Sequence, residues 1–142
     1  MSIFDEPVNE ANMYKTLGGL LFPDEKIECA IYCLFRQTGF FASNKNITYG
    51  YVALTSEQRL IGHKMTVLES LDFAEEMKQL TKITVKESIF GYCTVNAFFE
   101  TPQRHQLKFL IHRKIYGSSA FPNQTKNADT MLDLLKKYEL SY

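Results

Sequence analysis

Residues Gly50 to His63 contain two short apolar runs separated by a polar segment. The first run, Tyr51 to Thr55, is rich in the β-branched, aromatic and apolar side chains that suit a pleated, half-buried surface. The polar segment, Ser56 to Gln58, begins with a hydroxyl that can bond the backbone amides after it, which favours a turn. Apolar character resumes at Leu60 and Ile61. The spacing predicts a β-hairpin with a short loop.

Strands are also predicted on both sides of this hairpin. Their ranges are Lys26 to Gln37, a segment near Thr81 to Lys86, Ser88 to Glu100, and Gln106 to Tyr116. Residues alternate between the two faces of a strand, and one face of each long segment is almost wholly apolar. In the first segment we assign this face, Ile27, Cys29, Ile31, Cys33 and Phe35, to the core. In the two later segments the residues that share a face are Ile89, Cys93, Val95, Ala97 and Phe99, and then Leu107, Phe109, Ile111 and Ile115.

Two helices are predicted, one near each end of the chain. Asn9 to Leu20 has helical spacing of its apolar residues, and Asn9 is suited to cap its start. The second helix has an apolar stripe opposite a charged face, with Asn127 as its expected cap. The stripe consists of Ala128, Met131, Leu132, Leu135 and Tyr138, with Leu134 at its edge. Between strands, the acidic stretch Leu68 to Leu80 is expected to be an irregular connection.

The hairpin resembles the signature hairpin of bacterial pleckstrin-homology-like (PH-like) domains. The family pattern is carried here by Gly50, Leu54, Thr55, Arg59, Leu60 and Ile61. Leu20 to Ile27 is similar to the leucine–leucine–x–proline–x–glutamate entry to the first strand in that family, and the resemblance covers about residues 20 to 140. It implies a mainly β, α+β fold: a bent antiparallel sheet or barrel of about seven strands, capped by a C-terminal helix and preceded by a short N-terminal helix. Residues 1–21 would form an N-terminal helical arm and residues 22–142 the PH-like domain, as a single compact domain overall.

The composition narrows the class of protein further. The 142 residues suit one domain, and 16 basic residues balance 16 acidic residues. Nucleic-acid-binding proteins usually have a basic excess, so no nucleic-acid partner is expected. The acidic, proline-containing amino terminus is unlike a signal peptide, and we expect a cytoplasmic protein.

The three cysteines, Cys29, Cys33 and Cys93, are an odd number, which predicts free thiols. Cys29 and Cys33 would be roughly 13 Å apart along a strand, too far for both to bind one zinc ion. We therefore expect neither a metal nor a cofactor, and we interpret the thiols as small buried side chains.

The outward face of the last predicted strand is the candidate for contact with an anion or a partner. It carries Arg104, Lys108, His112 and Lys114. One interpretation is a site for an anionic headgroup or an acidic peptide. The other is a plain solvated strand face, and it is favoured because the exposed faces of antiparallel sheets are normally polar.

A second candidate contact is the loop after the first strand, with Phe40, Phe41 and Lys45. Exposed neighbouring aromatics suit a protein contact or shallow membrane insertion, and the alternative is that they fold onto the core. In eukaryotic PH domains this loop holds basic residues that grip inositol phosphates. Here it offers only Arg36 and Lys45, which argues against headgroup binding.

The resemblance implies a non-catalytic binding or assembly module. Such a module would bind a protein or peptide, or associate with itself through a sheet edge to form an oligomer. Peripheral binding to an anionic membrane, through Phe40, Phe41 and the basic strand, is the alternative. A small enzyme is a third hypothesis, which a cleft holding His63 or His112 beside a carboxylate would favour.

Overall fold

The computed structural model describes residues 7–36, 47–65, 70–89, 91–100, 106–113 and 119–141. These residues form two α-helices, α1 (Glu10–Gly18) and α2 (Gln124–Ser141). They also form seven strands: β1 (Ile27–Arg36), β2 (Ile47–Thr55), β3 (Arg59–Met65), β4 (Ser70–Glu76), β5 (Leu80–Glu87), β6 (Tyr92–Phe99) and β7 (Gln106–His112). A short 3-10 helix, Met77–Gln79, joins β4 to β5.

The strands form one antiparallel sheet in the order β4-β3-β2-β1-β7-β6-β5. β1 pairs with β2 from Ile27 to Arg36 and with β7 only from Cys33 to Phe35. The sheet is bent and unclosed, with β4 and β5 at its two edges. With its C-terminal and short N-terminal helices, the molecule has the predicted fold class and is consistent with a PH-like α+β fold.

Helix α2 packs against the inner face of the sheet. The predicted stripe is confirmed, because Ala128, Met131, Leu132 and Leu135 are fully buried among the inner side chains of the strands. The predicted cap is wrong, since α2 begins at Gln124, before Asn127. The side chain of Gln124 accepts a hydrogen bond from Tyr32 N and donates to Tyr32 O and His112 O, which ties the start of the helix to β1 and β7.

Helix α1 covers the outer face of β1, β2 and β3. Asn9 caps it as predicted, because Asn9 Oδ1 accepts from Asn12 N at 2.8 Å. Met13 and Leu17 of α1 are buried in an outer cluster. Ile27 also packs there, so its predicted place in the inner core is wrong. A register irregularity between Ile27 and Cys29 moves it to the outer side.

The predicted irregular connection at Leu68 to Leu80 is wrong over much of its length. Ser70–Glu76 is a regular strand whose whole length pairs with β3. Residues 66–69 lie outside the described part of the chain. The helical spacing of Leu71 and Ala74 is local, whereas the ladder with β3 places Phe73 and Glu75 in the interior.

The predicted strand from Ser88 to Glu100 begins later, at Tyr92. Ser88 N donates to Tyr92 O at 2.8 Å, and Gly91 has a φ of 85°. This positive φ suits glycine and turns the chain from β5 into β6. Ile89, which was predicted to share a strand face with Cys93, is therefore on the turn with 95% of its surface exposed.

Candidate functional site

Thr55 and Arg59 of the hairpin motif form a buried polar cluster with Glu25, which precedes β1. The side chain of Glu25 is completely buried, and its carboxylate accepts hydrogen bonds from Thr55 Oγ1, from Arg59 Nε at 3.0 Å and from Phe22 N at 2.8 Å. The hydrogen bond from Arg59 is the largest contribution that lowers the pKa of Glu25, to about 2. This cluster therefore has a structural role: the Glu25–Arg59 ion pair holds the entry to β1 against the β2–β3 turn.

Arg59 also contacts the backbone of Leu20 and the ring of Phe22 at the surface next to this cluster. Its Nη2 donates to Leu20 O at 2.9 Å, and its guanidinium carbon lies 3.8 Å from the centre of the Phe22 ring. Stacking of this kind is favourable because the ring face is electron-rich. Phe22 nevertheless keeps 55% of its surface exposed. An apolar ring is thus displayed at this end of the sheet.

A pocket of about 220 Å³ lies beside this ring. We call it the Phe22 pocket, and its lining residues are Phe22, Glu57, Gln58, Arg59, Glu76 and Lys78. Sites for drug-sized molecules have volumes of about 300–1,000 Å³. The Phe22 pocket is smaller, and its size and mixed polar lining suit a single side chain of a partner.

The β4 edge, defined as the side of Ser70–Glu76 that faces away from β3, is unpaired in the described sheet. In an antiparallel ladder, residue pairs alternate between those that exchange backbone hydrogen bonds and those that do not. Met77 N donates to Gln58 O at 2.9 Å at the end of the β3–β4 ladder. The alternation therefore directs the backbone N–H and C=O groups of Asp72, Ala74 and Glu76 away from β3.

The opposite edge of the sheet is covered. The hydrogen bond from Ser88 N to Tyr92 O sets the same alternation for β5, so that the backbone of Val85 faces outward. Val85 N donates to Glu139 Oε2 of α2 at 2.7 Å. A helix side chain thus occupies this edge, which is one way in which proteins block unwanted strand pairing.

A histidine and a carboxylate meet beside the β4 edge. His63 Nδ1 lies 2.6 Å from Asp72 Oδ1, and the two residues are directly opposite each other in β3 and β4. The His63 ring also stacks on Tyr51, with ring centres 6.1 Å apart. Neither His63 nor Asp72 lines the Phe22 pocket. The geometry is that of a cross-strand pair on the outer face of the sheet.

The basic strand predicted from the sequence is described only in part. Lys108 and His112 are half-buried on the outer face of β7, roughly 13 Å apart along the strand. The His112 ring lies 5.5 Å from that of Tyr92. The other predicted contact residues lie outside the described residues: Arg104, Lys114, Phe40, Phe41 and Lys45.

Two lysines that were not among the predicted contact residues extend this surface. Lys82 and Lys86 are exposed on the outer face of β5, and the cross-strand register places Lys86 opposite Thr94 of β6. We call Lys82, Lys86, Lys108 and His112 the basic sheet face. No Asp or Glu belongs to this face within the described residues of β5, β6 and β7. The alternation around Ile83 was the sequence signal for these lysines.

All three cysteines are free and buried, as predicted. Burial raises the pKa of each thiol, to about 12 for Cys29 and well above the ordinary value for Cys33. Thiols of this kind are inert packing groups, since the thiolate is the reactive form. No group of three or more His, Cys, Asp or Glu among the described residues is arranged to hold a metal ion.

No family model, curated protein or solved structure matches the chain. Neither α1 nor α2 has the length and hydropathy that a membrane-spanning helix needs.

Proposed function

We propose that this protein is a non-catalytic binding or assembly module that pairs an extended segment of a protein partner with the β4 edge. The observation that carries the proposal is the contrast between the two sheet edges. Glu139 of α2 accepts a hydrogen bond from the outward Val85 N of β5, whereas the outward groups of β4 have no strand beside them in the described sheet. The resemblance to bacterial PH-like domains supports the same class of function.

Strand addition needs a regular edge, and β4 provides one. Its ladder with β3 runs from Ser70 to Glu76 without a register shift. A partner strand would gain backbone hydrogen bonds along this edge, each contributing about 0.5–1.5 kcal/mol, and pockets beside the edge would select its side chains. The Phe22 pocket lies at the end of β4, where it can take one such side chain.

A proline at Ala74 tests the proposal. The N–H of Ala74 faces away from β3, so Ala74→Pro removes a donor from the edge and leaves the β3–β4 ladder intact. The control is Ala74→Thr, which keeps the N–H. We expect strand-forming eight-residue peptides, followed by fluorescence anisotropy, to bind the native protein and the Thr variant but not the Pro variant. Equal binding to both folded variants would contradict edge pairing.

The partner strand can also come from a second copy of the chain, and the solution mass tests this form of the proposal. If a second copy is the partner, light scattering over a range of concentrations will show an oligomer that Ala74→Pro dissociates and Ala74→Thr retains. A monomer at every concentration would exclude self-association and leave a different protein or peptide as the partner.

The basic sheet face favours a second candidate function, which is peripheral binding to anionic lipid headgroups. Three lysines and a histidine project from one face that lacks acidic residues in its described part. Such a surface attracts anionic membranes, by about 1 kcal/mol for each basic residue near the surface.

Liposomes of rising anionic lipid content test this second function. We expect binding at low salt that Lys82→Gln with Lys86→Gln weakens, while the matched pair Lys26→Gln with Lys126→Gln has little effect. All four lysines are exposed. An absence of binding at low salt would exclude the membrane function.

A further inference from the structure

The charged side chains beside the β4 edge are mostly acidic. Asp72 and Glu76 lie on the outer face of β4 with 53% and 48% of their side chains exposed. Glu57 is exposed in the adjoining Phe22 pocket. The basic groups here are Lys78, whose Nζ is 3.3 Å from Glu76 Oε2, and His63 beside Asp72. Arg59 also lines the Phe22 pocket opposite Glu76, but its charge is paired with the buried Glu25. Carboxylates therefore outnumber fixed positive charges along the edge.

We propose that the segment added to the β4 edge is basic, with two Lys or Arg residues spaced four apart that face Asp72 and Glu76. This inference rests on the proposed function. Asp72 and Glu76 are themselves four residues apart, and side chains recur on one face of a strand every second residue. Opposite charges directly across a strand pair are favourable and like charges are not.

The basic residue opposite Glu76 is the one that reaches the Phe22 pocket. The Arg59 guanidinium stacks on the Phe22 ring, but 55% of the Phe22 surface stays exposed and offers a surface for a cation, and Glu57 offers a second carboxylate. Ala74, between the two acidic positions, has a small side chain that leaves room for an apolar or polar residue of the partner. The expected pattern is thus basic, three other residues, basic.

The same charges argue against pairing between the β4 strands of two copies. An antiparallel pair centred on Ala74 would place Asp72 of each chain opposite Glu76 of the other. Two pairs of like charges would then meet, which destabilises a strand pair. The favoured occupant is therefore a basic segment of a different sequence.

The test uses three strand-forming peptides of eight residues with a common Val and Thr framework. One has Lys at positions 3 and 7, one has Lys at positions 3 and 6, and one has Gln at positions 3 and 7. The first two have the same composition and charge, but a spacing of three puts the lysines on opposite faces of a strand. Affinities are measured by fluorescence anisotropy at two salt concentrations.

We expect the 3,7 peptide to bind about two- to thirtyfold more tightly than the Gln peptide, since each exposed ion pair contributes about 1.4- to 5-fold. The affinity of the 3,6 peptide should exceed that of the Gln peptide by less. Asp72→Asn with Glu76→Gln should remove the advantage of the 3,7 peptide. The matched control is Glu100→Gln with Asp133→Asn, which neutralises two exposed acids elsewhere and should preserve the advantage.

The possible outcomes distinguish failure of this inference from failure of the proposed edge pairing. Equal affinities for the two Lys peptides, or for the Lys and Gln peptides, would overturn the inference while leaving edge pairing in place. Loss of the advantage in both double variants would also overturn it, because the effect would then come from overall charge. If none of the three peptides binds, the proposed edge pairing fails together with the inference.

Discussion

Glu25 and Arg59 are 34 positions apart in the chain, yet they form a buried ion pair. Arg59 Nε donates to Glu25 Oε2 at 3.0 Å, and the side chain of Glu25 has no exposed surface. The pair joins the segment before β1 to the turn between β2 and β3. Ser56 N reinforces this junction by donating to Lys26 O at 2.8 Å.

Breaking this pair from one side should destabilise the fold strongly. We expect Glu25→Gln to lower the free energy of unfolding by about 3–5 kcal/mol, because Arg59 would remain buried without its counterion. Urea denaturation followed by circular dichroism measures this change. Glu28→Gln is the control, since Glu28 is exposed in the neighbouring strand, and it should stay within about 0.5 kcal/mol of the native protein.

A double-variant cycle separates the pair from its surroundings. Glu25→Leu with Arg59→Met should cost less than the sum of the two single changes, because replacing both charges leaves neither one unpaired. Additive losses would contradict a direct coupling between the two side chains.

The stability contributed by Glu25 should depend on pH. Its pKa is about 2 in the folded protein and about 4.5 when unperturbed. A lowered pKa means that the ionised form favours folding, so the contribution is complete above about pH 5 and is lost as the pH falls toward 2. We expect the difference in unfolding free energy between the native protein and Glu25→Gln to narrow between pH 6 and pH 3. A constant difference across this range would show that ionisation of Glu25 is not the cause.

Gly50 should be irreplaceable for steric reasons. A Cβ at this position would collide with the backbone carbonyl of His63 and lie 2.7 Å from the Phe35 ring. We expect Gly50→Ala to destabilise the protein by about 3 kcal/mol, because the obstructing group is a backbone atom of the paired strand β3. Thermal denaturation measures the loss.

Gly18 provides the matched control for Gly50. A Cβ at Gly18 would meet nothing within 4 Å. Gly18→Ala should therefore be neutral or stabilise the protein by up to about 1 kcal/mol, through the lower chain entropy of the unfolded state. Similar losses in the two variants would refute the steric explanation.

The buried thiols should resist alkylation in the native protein. Burial raises the pKa of Cys29 to about 12, and it also raises the pKa of Cys33 well above its ordinary value. Iodoacetamide at pH 8, followed by intact mass, should therefore modify none of the three cysteines until urea unfolds the chain. Rapid modification of Cys29 or Cys33 in the folded protein would contradict this prediction.

Several features of the fold were predictable because they depend on neighbouring residues alone. Period-two alternation identified the buried faces of β6 and β7, since Cys93, Val95, Leu107 and Phe109 are all in the core. The helical stripe of α2 was predictable for the same reason. The hairpin of β2 and β3 followed from one polar interruption between two apolar runs, and the structure pairs Leu54 with Leu60 across it.

Other features needed the three-dimensional arrangement. β4 was missed because Leu71 and Ala74 have helical spacing, and only the ladder with β3 makes this segment a strand. The predicted position of Ile89 in a strand was wrong because the chain turns at Gly91, between the alternating residues of β5 and those of β6. Only the register of β5, β6 and β7 shows that Lys82, Lys86 and Lys108 lie on the same face of the sheet.

The amino-acid sequence was sufficient to define the faces of the strands and of the terminal helix, because side-chain periodicity is a local property of the backbone. The tertiary structure alone decided which edge of the described sheet is unpaired, that Glu139 accepts a hydrogen bond from Val85 at the other edge, and that Glu25 meets Arg59. These contacts join residues 34 and 54 positions apart. They form only when the whole sheet has assembled, since no local pattern specifies which distant groups will be brought together.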